Sequence, residues 1–194
     1  MGFAINGIVL INYGLVSVSQ YIALVVMSKC ENGEKPMYEV RNHFLFKDGV
    51  QVKHVPSPNH GGEISVRIVV IHFTGTPGLS SPLSWLCNRG SGVSAHLLID
   101  LDGTVYQLLP LNVKGWHAGV SSWNGLAGVN GFSIGIENVG VGGPWPDAQV
   151  EAIRDVLSAI SKVYDIQDIV GHEDVAPGRK FDPGKKFPWD RVTV

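Results

Sequence analysis

The sequence predicts a mixed α/β fold: a single domain with a central mixed β-sheet flanked by helices. Three observations carry that prediction. Ser65 to Phe73 (SVRIVVIHF) is a β-branched apolar run of the length of a buried strand. Asp147 to Tyr164 places Val150, Ile153, Leu157, Ile160 and Tyr164 at helical spacing, with Glu151, Arg154, Asp155 and Lys162 on the opposite side. Between and after these, further short strand and helix patterns alternate, which is the signature of helices packed on a sheet.

The elements follow in chain order. Met37 to Gly62 is polar and broken by Pro56, Pro58 and Gly61–Gly62, so short extended pieces and loop are expected there. The strand Ser65 to Phe73 comes next. Ser81 to Asn88 reads as a short helix, with Ser81 as its cap, Pro82 in the first turn and Gly90 beyond its end. Ala95 to Ile99 and Thr104 to Leu109 flank Asp102–Gly103, a hairpin signal. Phe132 to Asn138 (FSIGIEN) alternates as a strand. The long helix follows, then a last strand from Ile166 to Val170, and the remainder is loop.

Lys and Arg total 15 against 17 Asp and Glu, with no basic run, so nothing points to a nucleic-acid partner. The two cysteines, Cys30 and Cys87, form no close pair and read as free thiols. From Gly2 to Ser28 no side chain is charged, and Ile8 to Met27 is long enough to cross a bilayer, though Asn12, Ser17, Ser19 and Gln20 dilute it. Residues 1–28 are therefore read as a signal-anchor or export-like segment giving possible membrane anchoring, with a start upstream of the true one (at Met27 or Met37) as the alternative. Residues 29–36 read as a linker and 37–194 as the functional domain. The expected location is the cell envelope or periplasm, or tethered at a membrane, with the cytoplasm as the alternative. A monomer suffices.

Three residues stand where strands end. His72 closes the strongest strand, His172 follows the last strand after one glycine, and Asp182 lies ten residues on, in GHEDVAPGRKFDPG. Two imidazoles and a carboxylate, with a position left for water, suit catalytic zinc, which would activate that water as a nucleophile. Pro183 biases Asp182 towards an extended conformation, which turns Lys180 to the same side, where its ammonium would stabilise an oxyanion. Glu137 shares a strand face with Ser133 and Gly135 and is the candidate general base. Taken singly, each has a simpler reading. His72 would be a hydrogen-bonded core histidine, Glu137 an edge-facing charge, and Lys180 with Asp182 a surface ion pair.

The segments VVIHFTG (69–75), VSAHLLIDLDGTVYQLLP (93–110), GWHAGVSSWNG (115–125), FSIGIENVG (132–140) and GHEDVAPGRKFDPG (171–184) resemble the AmpD-type, or type 2, N-acetylmuramoyl-L-alanine amidases, in the family's order. The resemblance implies zinc (Zn2+) bound by His72, His172 and Asp182, Glu137 as catalytic acid/base and Lys180 as the transition-state-stabilising lysine. It also implies the peptidoglycan-recognition-like fold and a groove for peptidoglycan or muropeptide, with cleavage between N-acetylmuramic acid and L-alanine. Phe73-Thr74-Gly75 after His72 looks more like the envelope and phage members than the cytoplasmic recycling ones. Trp116 and His117 are the expected substrate-binding residues, and Trp123 and Asn124 are placed along the groove. His96 reads as structural, and His43, His54 and His60 as solvent-exposed. Asp174, Arg179, Lys185 and Lys186 are expected to be solvated loop charges. The alternative class is a non-catalytic peptidoglycan-binding module, which would be expected to lose a ligand or the acid. A zinc peptidase is disfavoured because no H-E-x-x-H occurs.

Overall fold

The computed structural model describes residues 37–193 throughout and, before them, three short strands. The chain divides into two units, residues 1–37 and 38–194. In the first, β1 (Ala4–Ile5), β2 (Ile8–Ile11) and β3 (Gly14–Ser17) pair antiparallel in that order. Most of the expected anchor, Cys30 and the linker at 29–36 lie outside the described residues. Among the described residues no helix is long and apolar enough to cross a membrane.

The second unit begins with an antiparallel meander of β4 (Tyr38–Arg41), β5 (Phe44–Lys47) and β6 (Val50–Gln51). Both turns are two residues long with positive φ, 48° and 67° at Asn42–His43, then 51° and 79° at Asp48–Gly49. Those values suit a tight hairpin twisting with its strands. The short extended pieces expected between Met37 and Gly62 are present, and three of them pair as hairpins that were not assigned, one of them signalled by Asp48–Gly49.

Six strands form the main sheet, in the order β14 (Asp168–Gly171), β8 (Ile68–Phe73), β13 (Ser133–Asn138), β9 (Leu97–Ile99), β10 (Val105–Gln107) and β7 (Lys53–His54). The first four run parallel, β10 is antiparallel to β9, and β7 is parallel to β10. The sheet is mixed and carries helices, as expected. A small pair, β11 (Ser122–Trp123) and β12 (Leu126–Ala127), lies in the segment before β13.

Alternation along the strands divides the molecule. Val69 and Ile71 of β8 and Ile134 and Ile136 of β13 pack with Val150, Ile153, Val156, Leu157 and Ile160 of the long helix α2 (Asp147–Ser161). Each such side chain contributes about 1.5–3 kcal/mol on burial. Ile68 and Val70 face the other way, onto Ala118, Val129 and Val175. Since His72, Ser133, Gly135 and Glu137 continue that second register, the candidate site residues on these strands occupy the face turned away from α2.

The helices depart from expectation at their ends. α1 spans Ser80–Leu86, its N-cap Leu79 has helical dihedrals, and no side chain caps it, so Ser81 sits inside the first turn. Asn88 instead caps a following 3-10 turn, accepting the Gly90 N–H at 2.8 Å. α2 stops at Ser161, three residues early. Tyr164 leaves the helix to meet Nδ1 of His43 at 2.7 Å, and the chain turns into β14. Two short helices, α3 (His172–Val175) and α4 (Trp189–Val192), complete the unit.

Candidate metal centre and cleft

Parallel register sets the centre. His72 and Glu137 are partners across β8 and β13, and Gly171 pairs with Ile71, so His172 follows one step beyond. Three functional side chains therefore leave the carboxyl ends of three adjacent parallel strands, where open α/β sheets commonly place ligands. His172 opens α3, whose first turn is held by the Gly171 N–H donating to Asp174 Oδ2 at 2.7 Å. Asp174 is thus a cap rather than a free loop charge. Asp182 returns to the same point across a cis Asp182–Pro183 peptide.

His72 Nδ1 lies 2.9 Å from His172 Nδ1, and each is 3.1 Å from Asp182 Oδ2. All three residues are buried. The distal nitrogens have other partners: His172 Nε2 faces the Ala118 carbonyl at 3.1 Å, and His72 Nε2 faces His117 Nδ1 at 3.1 Å. With the ring protons on Nε2, three lone-pair donors converge on one point. Such a set is stable only with positive charge between them, a shared proton or a metal ion. Burial pushes the His72 pKa down to about 4, which works against the proton at neutral pH. Burial alone would raise the Asp182 carboxyl, but its contacts with His172 and His72 outweigh that and hold it well below the usual range. The donor set, two imidazole nitrogens and a carboxylate oxygen within 4.8 Å of one another, fits zinc with a coordination position to spare.

Beside this set stands Glu137. Its Oε2 is buried with no hydrogen-bond partner among the described residues. Burial, then the charge of Asp182, push its pKa up to about 8, with Lys180 pulling the other way. Lys180 is exposed, and no ion pair joins it to Asp182 among the described residues. The candidate ligands His172 and Asp182, with Glu137, Lys180, Trp116 and Trp85, line one cleft of roughly 290 Å³. The structure thus brings together His72, His172, Asp182, Glu137 and Lys180, and sets Trp116 and His117 on the same cleft.

Other expectations are corrected. Trp123 and Asn124 do not line that cleft; both donate to Asp168 Oδ2, at 2.8 and 3.3 Å, tying their loop to β14. Arg179 is not a free charge, since it donates to the carbonyls of Ala118 and Val120. His96 is structural, with Nδ1 accepting the Gly135 N–H at 2.9 Å and Nε2 facing the Val113 carbonyl at 2.7 Å. His43, His54 and His60 are exposed, as expected. Sequence reasoning missed Ala118, Asn130 and Trp85. Asn130 Oδ1 accepts the N–H groups of both His117 and Ala118, at 3.1 and 2.8 Å. The alternation of Trp85 with Pro82 and Leu86 on α1 was the only hint that Trp85 faces outward.

Comparison with known proteins agrees with this geometry. The sequence model described as N-acetylmuramoyl-L-alanine amidase matches residues 62–185. A curated relative, the 1,6-anhydro-N-acetylmuramyl-L-alanine amidase AmpD of Enterobacter cloacae, is 34% identical over 165 residues, covering 73% of this chain and 88% of the relative. The crystal structure of a selenomethionyl AmpD derivative superposes with a TM-score of 0.68 at 33% identity, covering 73% of this chain and 92% of that one. The AmiD amidase of Escherichia coli, solved with the substrate anhydro-N-acetylmuramic acid-L-Ala-D-gamma-Glu-L-Lys, gives 0.61 at 29% identity, covering 80% of this chain and 64% of AmiD.

Proposed function

The chain belongs to the N-acetylmuramoyl-L-alanine amidase family, and from that premise we propose that it hydrolyses the amide between N-acetylmuramic acid and L-alanine in muropeptides or peptidoglycan. Zinc, held by His72, His172 and Asp182, is the cofactor of this reading. The observation that carries it is the convergence of three lone-pair donors beside a buried, unpartnered carboxyl at the base of a cleft.

Bound there, zinc would supply Lewis acidity towards the carbonyl and acidify water. The residues of the chain do the rest. Glu137 takes the proton from the attacking water and delivers it to the departing alanine nitrogen, so that a lactyl carboxylate and a free amine result. Burial raises the Glu137 pKa in the metal-free site, which favours holding a proton, and the positive charge of a zinc ion beside it would lower that pKa again and leave the carboxylate able to accept one. Lys180, at the rim, opposes the negative charge that grows on the carbonyl oxygen. Trp116 offers an aromatic face in the cleft wall for the sugar or the stem peptide. All five reactive positions are present, which favours catalysis over a binding module. Residues 37–194 carry this activity as one domain, and a charge-free run from Gly2 to Ser28 fits export or tethering at the envelope.

The test uses the full chain with purified sacculi and, separately, soluble anhydro-muropeptides, each with and without a chelator. Products are read by mass spectrometry. Stem peptides beginning with L-alanine, lost with chelator and restored by zinc, are expected. No release from either substrate would overturn the enzyme reading and leave a binding module.

A further inference from the structure

Residues 117–118, in the loop crossing the site face, touch both imidazoles from behind. His72 Nε2 is 3.1 Å from His117 Nδ1, and His117 Nε2 is 3.3 Å from Ser133 Oγ. The Ser133 hydroxyl has a nearer acceptor, the Val129 carbonyl at 2.7 Å, so its proton is committed there. Its oxygen then receives the His117 Nε2–H, which leaves His117 Nδ1 as a bare acceptor. The ring proton of His72 is thereby fixed on Nε2, with the Nδ1 lone pair turned to the centre. The next residue serves the other ligand, since the Ala118 carbonyl accepts from His172 Nε2. Asn130 pins both backbone amides. The His117 ring sits over Gly135, where a Cβ would lie only 2.4 Å from ring carbon Cγ.

We infer that His117 is a positioning residue: the relay from the Val129 carbonyl through Ser133 and His117 sets the tautomer of His72 and raises its affinity for the metal, and His117 is not a contact for the glycopeptide. Both ring nitrogens are spent on the protein, which leaves neither free to hydrogen-bond a ligand in the cleft. The inference rests on the zinc reading above.

The experiment measures zinc affinity of the full chain by competition with a chromophoric chelator, the visible bands of the cobalt-substituted protein, and kcat and KM at saturating zinc. His117→Ala is expected to lower zinc affinity about 10–100-fold and to shift the cobalt bands, with KM little changed. His117→Asn, whose Oδ1 can stand near the lost Nδ1, is expected to recover much of both. Ser133→Ala, the removal of one oxygen, gives a smaller loss in the same direction and carries the test should His117→Ala fail to fold. Unchanged zinc affinity in these variants with a raised KM would overturn the relay and return His117 to the substrate. A wild-type chain that takes up no zinc would overturn the metal reading, and the relay with it.

Discussion

His72 and Glu137 are register partners on adjacent parallel strands, so a candidate metal ligand and the candidate acid leave the same sheet face at the same level. The distance between them is thus set by strand spacing rather than by a loop, which is the rigid placement that proton transfer requires.

Replacing Glu137 with Gln keeps the shape and removes the proton acceptor. We expect kcat for muropeptide hydrolysis to fall about 10²–10⁴-fold. Zinc content, read by atomic absorption, should be unchanged. A variant with near-normal kcat would remove Glu137 from the chemistry.

Lys180 is exposed and its ammonium is not fixed by an ion pair to Asp182. Lys180→Ala should therefore leave the melting temperature unchanged and lower kcat about 10²–10³-fold, with a smaller effect on KM. An equal rise in KM at constant kcat would make it a substrate anchor instead.

Gly135→Ala places a Cβ 2.4–2.6 Å from three atoms of the His117 ring. The ring must move, which should destabilise the fold by about 1–3 kcal/mol and weaken zinc binding. Gly131→Ala, where a Cβ meets nothing within 4 Å, is the control and should stay within about 0.5 kcal/mol. Chemical denaturation of both variants checks the contrast.

The Glu137 carboxyl, raised from 4.5 to about 8, binds its proton more tightly folded than unfolded. Its contribution is fully present below about pH 4.5 and is lost as pH rises to about 8. In chelator-treated protein, wild type and Glu137→Gln should be equally stable at pH 4.5. By pH 8 the variant should be the more stable, by about 1–2 kcal/mol after allowance for the partly open cleft. Burial pushes His72 and His96 down to about 4, so both variants lose stability together as pH falls from about 6.5 towards 4. A constant difference across pH 4.5–8 would contradict the shift at Glu137.

The central strand, the long helix and the convergence of His72, His172 and Asp182 were legible because each is marked locally. A β-branched run ends in His72, a glycine precedes His172, and a proline follows Asp182. Glu137 was legible through its face, shared with Ser133 and Gly135. The hairpins of β4–β6 were overlooked although Asp48–Gly49 announces one, because strands of only two to four residues are too short for a period to stand out from the polar residues and breakers around them. The support given to His72 by His117, and to His172 by Ala118, is not written in any local pattern. Those partners lie 45 and 54 residues away and meet only when the loop folds across the sheet. The same holds for Trp123 and Asn124, drawn off to Asp168 by hydrogen bonds that no spacing encodes.

The division of the sheet into a helix-bearing face and a reactive face makes the site a matter of parity. Between Ser133 and Glu137 the strand β13 must hold an odd number of intervening residues. Loss or gain of a single residue there would turn Ile136 or Asn138 towards His72 and carry Glu137 into the packing against α2. Point substitutions along β13 can be graded in their effects, whereas a one-residue deletion exchanges the two faces outright.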